Sequence, residues 1–167
     1  MKPKIVKKEA VKIAGFAIKT TAKNGASGKE IPKFWQDYLT DGRNKKLHSE
    51  SFLEKHAEYG ACFSINMETG EMEYVIGVEV KKDSVVPDTY HIYTLPEALY
   101  AVFTTPPSNE DTFVSSIQET WSYIYSEWFP NSEYEFDDNG VDFELYDERC
   151  MSETGKVIDI YIPVTKK

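Results

Sequence analysis

The feature that most constrains the fold of this chain is an order of secondary-structure signals that occurs twice. Each half of the sequence runs strand, helix, strand, strand. In EIPKFWQDYLTDG (30–42), apolar residues fall at i, i+3, i+4, i+7 and i+8, and in FVSSIQETWSYIYSEWF (113–129) they recur every three or four residues. Because one amphipathic helix per half can cover one face of a sheet, the order predicts an α+β fold.

The strand signals of the two halves also correspond in pairs. ALYAVFTT (98–105) occupies the place of the first strand, VDFELYDE (141–148) matches YGACFSIN (59–66), and VIDIYIPV (157–164) matches YVIGVEV (74–80). We predict a duplicated β-α-β-β module with pseudo-twofold symmetry, in which an antiparallel sheet carries helices on one face. A ligand cleft is expected between the halves.

We expect one domain over residues 1–167, with halves of about 1–86 and 87–167. Residues 4–20 are read as a single long strand, in which Gly15 marks a bulge or a close backbone approach. The Gly-rich and Ser-rich segment 23–30 predicts a loop, so the first helix is expected to begin at Pro32.

Composition excludes several classes of function. The net charge of −9 disfavours binding to the phosphate backbone of nucleic acids. No stretch reaches the ~20 apolar residues of a membrane span, and the N-terminus lacks the apolar run of a signal peptide, so a cytoplasmic protein is expected. Cys62, Cys150 and the three histidines form no metal-ligand motif, so we expect no metal site and no cofactor. The aromatic content of 14% is high and is typical of a ligand pocket.

The strand around Glu144 is the first candidate for a binding site. Phe143 and Leu145 alternate with Glu144 and Tyr146, and the apolar pair is expected to face the helices. In the last strand, the same alternation places Tyr161 on the helix-free face. Glu144, Tyr146 and Tyr161 would then surround a flat or cationic ligand, although Glu144 on a merely solvated strand face is the alternative.

The first half is expected to supply the remainder of this site. Cys62 and Gly77 would lie on the same helix-free face, where both are small and Gly77 would let a ligand approach the backbone. Trp35 is either a core residue or a ligand contact near the mouth of the cleft. Trp121 and Trp128 lie on a helical stripe and are expected to pack in the core.

The second half of the chain resembles a known family. The segments are WSYIYSEWFPNSEYEFDDNGVDFELYDERC (121–150) and IDIYIPV (158–164). They are similar to the C-terminal half of the GyrI-like small-molecule-binding domain, the effector-binding domain of AraC-type and MerR-type multidrug regulators. The residues that carry the resemblance are Trp128, Phe129, Pro130, Ser132, Tyr134, Phe143, Glu144, Tyr146, Ile162 and Pro163.

This resemblance implies a duplicated fold with a hydrophobic, aromatic-lined cleft. It places the family's cation-contacting glutamate at Glu144 and a cleft tyrosine at Tyr161. The regulators also carry a helix-turn-helix domain, for which this chain has no room. The resemblance therefore implies a stand-alone binding protein without a DNA-binding domain.

Three functions are compatible with these residues. The first is a module that binds lipophilic or cationic small molecules without changing them, and we rank it above catalysis. The second is a hydrolase of reactive electrophiles, in which Glu144 would act as general acid or base. The third is a protein-interaction inhibitor of the gyrase-modulator type, in which the acidic surface contacts a basic protein partner.

Overall fold

A computed structural model describes residues 1–153 and 155–167, which contain nine β-strands and three α-helices of five or more residues. The chain divides into two compact units. The first unit is Val11–Thr94, and the second unit combines Met1–Ala10 with Leu95–Lys167.

The first unit is an antiparallel sheet with two helices. Its elements are β2 (Val11–Thr21), α1 (Ala26–Thr40), α2 (Arg43–Leu47), β3 (Leu53–Asn66), β4 (Glu71–Val80) and β5 (His91–Leu95). The strand order is β3-β4-β2-β5, and Gly70 adopts a φ of 69° in the turn between β3 and β4. α1 buries Phe34 and Tyr38 in a core that includes Ile76 and Val78 of β4.

The second unit repeats the order strand, helix, strand, strand, with one further strand before it and one more short strand after the helix. Its elements are β1 (Lys4–Lys8), β6 (Ala98–Thr104), α3 (Phe113–Tyr123), β7 (Tyr134–Phe136), β8 (Phe143–Tyr146) and β9 (Asp159–Lys166). The order is β1-β6-β9-β8, and β7 pairs with the C-terminal end of β9. Ile117 of α3 packs with Phe103 and Ile160 in the core. The α+β architecture predicted from the sequence is therefore present in each unit.

The ends of several elements differ from the sequence predictions. Residues 4–20 form two strands, and β1 pairs with β6, so the first ten residues belong to the second unit rather than to a half that ends at residue 86. α1 begins at Ala26, and Pro32 lies inside it. Proline within a helix removes the hydrogen bond to the residue four positions earlier, but the helix continues because its apolar face is buried.

The second long helix continues past Pro130. After α3, the chain continues as a π-helical stretch, Ile124–Trp128, and then as one helical turn, Phe129–Asn131. Pro130 fits there because it lies in the first turn of this last piece, where no intrahelical donor is needed. The acidic segment 131–140 that follows contains the short strand β7, which is antiparallel to β9.

Gly15 and Gly77 lie opposite each other where β2 and β4 approach closely. A Cβ atom on Gly15 would lie 2.0 Å from the carbonyl oxygen of Ile76, and one on Gly77 would lie 2.9 Å from the carbonyl oxygen of Ala14. The close approach predicted at Gly15 is confirmed. The prediction that Gly77 lets a ligand approach the backbone was wrong, because the backbone of β2 takes the space beside Gly77.

Candidate functional site

Glu144 is a buried carboxylate on β8 that receives a hydrogen bond at each oxygen. Its exposed fraction is 9%. The indole Nε1 of Trp121 on α3 donates to Oε1 at 2.7 Å, and the phenol of Tyr146 donates to Oε2 at 2.7 Å. Both donors are neutral groups, and together they orient the carboxylate.

The register of β8 and β9 places Glu144 on the face that α3 covers. Glu144 lies opposite Ile160, a core residue beneath the helix, whereas Phe143 lies opposite Tyr161. The expectation that Glu144 and Tyr146 share the helix-free face with Tyr161 was wrong. The predicted alternation along the strand was correct, but the face that carries Glu144 meets the helix instead of facing away from it. Hydrogen bonding from Trp121 compensates the burial of Glu144 there.

The two aromatic residues that hold the Glu144 carboxylate each have a further aromatic neighbour. Phe113 meets Tyr146 edge to face with a ring separation of 6.4 Å, and Trp121 stacks on Tyr125 at 6.2 Å with planes 9° apart. Tyr125 is 49% exposed. The acid and these rings, defined here as the Glu144 site, therefore combine a fixed negative charge with an aromatic surface that reaches solvent.

Tyr161 lies in a separate aromatic cluster on the opposite face of β9. Its ring stacks on Phe143 at 4.5 Å and meets Tyr100 edge to face at 5.8 Å. The Tyr100 hydroxyl donates to the carbonyl oxygen of Val141 at 3.2 Å. Burial raises the pKa of the Tyr161 phenol above its ordinary value, and the charge of Asp159 adds to this effect.

Asp142 is a second carboxyl near Glu144, two residues earlier in the chain. Burial among protein atoms raises the pKa of Asp142 to about 7, its own backbone N–H opposes this rise, and the Glu144 charge adds to it. Part of the residue is exposed. The Asp142 carboxyl therefore changes its charge near neutral pH. It does so near Glu144, whose carboxylate is held by Trp121 and Tyr146.

In the first unit, Trp35 makes a hydrogen bond like that of Trp121, but to a neutral acceptor. The Trp35 Nε1 donates to the hydroxyl of Tyr74 at 2.8 Å. Cys62 pairs with Tyr74 across β3 and β4 and packs against the helix-side core. Gly77 pairs with Tyr59 in the same register, three positions away, so it lies on the other face from Cys62. The prediction that Cys62 and Gly77 share one face was wrong.

Sequence reasoning missed Trp121 as a member of the Glu144 site and Asp142 as a neighbouring acid. Trp121 was expected only in the core, because its spacing on the helical stripe does not show where its N–H group points. The only sequence signal for Asp142 was its nearness to Glu144 in the chain, because Asp142 precedes β8, which begins at Phe143. The raised pKa itself depends on burial, which no local pattern contains.

Across residues 1–153 and 155–167, no three or more His, Cys, Asp or Glu side chains are grouped to hold a metal ion. Within the same ranges, each helix is too short or too polar to cross a membrane.

The sequence matches the model of one protein family. A sequence model of the Cass2 family, integron-associated effector binding proteins, matches residues 4–164. A search of curated proteins found no match.

Solved structures share the fold at low sequence identity. A putative bacterial transcription regulation protein from Staphylococcus aureus MU50 is 19% identical, with a TM-score of 0.72 and 99% of each chain covered. SAV2435 bound to tetraphenylphosphonium is 19% identical, with a TM-score of 0.77, covering 99% of this chain and 94% of that chain. An integron cassette protein from the mobile metagenome of Vibrio cholerae is 15% identical, with a TM-score of 0.61 and coverages of 97% and 95%. These matches establish the α+β GyrI-like fold.

Proposed function

Because this chain belongs to the Cass2 family of integron-associated effector binding proteins, a GyrI-like family related to transcription regulators, we propose that it binds lipophilic cations at the Glu144 site. The observation that carries the proposal is the buried Glu144 carboxylate with a neutral donor at each oxygen. A negative charge in a low-dielectric surrounding attracts a cation more strongly than the same charge in water.

The aromatic rings supply the second half of the recognition. The faces of Trp121 and Tyr125 carry the negative part of the ring quadrupole, which attracts cations, and they offer flat apolar area to a lipophilic ligand. The exposure of Tyr125 gives a ligand access to this surface. Charge and aromatic area together favour a bulky organic cation over a small inorganic ion.

The choice of ligand class has independent support from a structural relative. SAV2435 has the same fold and is bound to tetraphenylphosphonium, a lipophilic cation. At 19% identity that ligand does not transfer by itself, but it makes tetraphenylphosphonium the natural probe for this chain. The acidic net charge of −9 also attracts cations and repels nucleic acid.

The remaining parts of the proposal concern location and catalysis. We place the protein in the cytoplasm as a binding module that leaves its ligand unchanged. Trp121, Tyr125, Glu144 and Tyr146 are the proposed ligand contacts, and Trp35 is a candidate contact within the first unit. Tyr161 is not among them, because it lies on the other face of β9 from Ile160, the residue opposite Glu144. Cys62 and Gly77 belong to the first unit and are not among the proposed contacts.

The test compares two probes of nearly equal shape and opposite charge, tetraphenylphosphonium and tetraphenylborate. Titration calorimetry is performed with the wild-type chain, with Glu144→Gln, and with Glu119→Gln, which removes the same charge from an exposed position on α3. We expect Glu144→Gln to weaken phosphonium binding by about tenfold or more, corresponding to about 1.4 kcal/mol, and Glu119→Gln to leave it unchanged. Equal phosphonium affinity in the wild type and Glu144→Gln, or equal affinity of the wild type for both probes, would contradict the proposal.

A further inference from the structure

A cluster of polar side chains in the first unit meets at Glu58 of β3. Its Oε1 accepts hydrogen bonds from Asn44 Nδ2 at 2.8 Å and from the Tyr38 hydroxyl at 3.3 Å, and it lies 2.6 Å from His48 Nε2. The side chains of Glu58 and His48 are only 14% and 20% exposed. This cluster joins α1, α2 and β3 through one carboxylate.

A second histidine extends the cluster to the surface. His56 Nδ1 lies 2.8 Å from His48 Nδ1, the ring planes are 12° apart, and the ring centroids are separated by 5.1 Å. A nitrogen separation of 2.8 Å is closer than two stacked rings can approach. The rings therefore meet edge to edge, with one N–H directed at the lone pair of the other nitrogen. His56 itself is exposed.

These contacts fix the tautomers of the neutral pair. The Glu58 carboxylate only accepts, so His48 must carry its hydrogen on Nε2, which leaves a lone pair on its Nδ1. His56 must then donate from Nδ1, and its Nε2, on the far side of the ring, carries a lone pair. The exposed end of the pair is a hydrogen-bond acceptor in this state.

One added proton can enter at the exposed His56 Nε2 without breaking the contact, and the hydrogen between the two Nδ1 atoms can then reside on either ring. Glu58 favours His48, because the Glu58 carboxylate lies 2.6 Å from His48 Nε2 and would pair with the cation. A doubly protonated His48 would form an ion pair with Glu58 and would donate from Nδ1 to His56 Nδ1. His56 must then accept at Nδ1 and carry its own hydrogen on Nε2. A second added proton would place an N–H on both Nδ1 atoms, which cannot share one hydrogen bond.

Other charged groups near the cluster are already engaged. Arg43 of α2 lies 2.8 Å from Asp41, and its guanidinium covers the rings of Phe16 and Phe34. Lys55, next to His56 on β3, lies 3.5 Å from Glu79 of β4. Glu58 is therefore the anion that decides where the proton resides, with the Tyr38 phenol facing it from α1 and the Asn44 amide from α2.

We propose that His48 and His56 form a proton-driven switch: the less exposed His48 takes the proton, and the exposed His56 stays neutral but exchanges its tautomer. The hydrogen bond between the two Nδ1 atoms reverses its direction. The surface atom His56 Nε2 thereby changes from an acceptor into a donor. Below the pH of the transition, His56 Nε2 favours ligands that accept hydrogen bonds, such as carboxylates. Above that pH it favours ligands that donate hydrogen bonds.

The test is long-range proton–nitrogen NMR on the uniformly labelled full chain, from about pH 8 to about pH 5, where histidines titrate. At high pH we expect the Nε2–H tautomer of His48 and the Nδ1–H tautomer of His56. At low pH we expect a His48 cation and the Nε2–H tautomer of His56. His91, the third histidine of the chain, lies on β5 outside the cluster and serves as the internal control.

Two results on the wild-type chain would overturn the switch. One is a His56 cation beside a neutral His48, and the other is a His56 that keeps its Nδ1–H tautomer throughout. Neither measurement requires a variant, so a variant that fails to fold cannot leave the proposal undecided.

A variant then tests the role of the anion. Glu58→Gln removes the charge that holds the proton on His48, so we expect the exposed His56 to take the proton first and the tautomer exchange to disappear. Glu54→Gln, an exposed change on the same strand, is the control and should keep the wild-type pattern. Retention of the tautomer exchange in Glu58→Gln would contradict the assignment.

Discussion

The indole Nε1 of Trp121 lies 2.7 Å from Oε1 of Glu144 and donates a hydrogen bond that joins α3 to β8. This contact determines which face of β8 meets the helix. A carboxylate beneath a helix would be costly without donors, and Trp121 and Tyr146 satisfy one oxygen each. The same contact fixes the charged group of the candidate site within the core of the second unit.

The Trp121–Glu144 hydrogen bond should contribute measurably to stability. We expect Trp121→Phe to lower the free energy of unfolding by about 2 kcal/mol, because a hydrogen bond to a charged group is lost. In a double-mutant cycle with Glu144→Gln, measured by urea unfolding, we expect a coupling energy of about 1 kcal/mol or more. Trp128→Phe is the control, since the ring of Trp128 contacts Phe103 and Tyr134, and its effect should add to that of Glu144→Gln. Additive effects of Trp121→Phe and Glu144→Gln would contradict the prediction.

The pairing of Gly15 with Gly77 should tolerate no side chain. Gly15→Ala would place a methyl carbon 2.0 Å from the Ile76 carbonyl oxygen, so β2 and β4 would have to separate. We expect a loss of about 3 kcal/mol or more, or no soluble protein. Gly28→Ala is the matched control, because its Cβ meets nothing within 4 Å and alanine favours the helix by about 0.5–1 kcal/mol. Thermal unfolding of both variants checks the contrast, and similar midpoints would refute it.

Asp142 should make stability depend on pH in the direction opposite to that of most carboxyls. Its folded-state pKa of about 7 lies above the ordinary value, so the native state binds more protons, and stability falls as the pH rises from about 4 to about 7. Asp142→Asn removes this loss. We expect the variant to be more stable than the wild type at pH 8 and about equal to it at pH 4, by urea unfolding. Asp138→Asn, at an exposed position, should show no such difference. A wild-type advantage at pH 8 would count against the raised pKa.

Arg149 should stabilise the second unit in the opposite pH range. Its Nη2 lies 2.8 Å from Asp147 and 2.6 Å from Asp159, which joins the turn after β8 to β9. Burial tends to raise the pKa of Asp147, but the hydrogen bonds from Arg149 outweigh it and lower the pKa. The contribution is therefore present above the unfolded-state pKa and is lost as the pH falls.

We expect Arg149→Gln to cost about 1 kcal/mol at pH 7, because the Arg149 side chain is 38% exposed and solvent screens the pair. The difference from the wild type should shrink as the medium is acidified below about pH 4. Unfolding curves at both pH values measure it. A cost that is the same at both pH values would show that Arg149 acts through packing alone.

Amphipathic spacing predicted both long helices, because burial of one stripe is a local requirement that the sequence must meet by itself. It misplaced the start of α1, since Pro32 resembles a first-turn proline and residues 26–31 resemble a loop. The turn between β3 and β4 needs a positive φ, which Gly70 supplies. The pairing of β1 with β6 was missed, because partners 90 or more residues apart leave no local signal.

The sequence by itself determined the two long helices, the α+β order and the alternation of β8, because each depends on neighbouring residues. Only the tertiary structure decided that Glu144 faces α3 and that Tyr161 faces away. Alternation with a period of two divides a strand into two faces, but it does not show which face is buried. Which face is buried depends on the partners that each face finds elsewhere in the chain. For Glu144 those partners are Trp121 and Tyr146, and no pattern within the strand reveals where the Trp121 N–H group points.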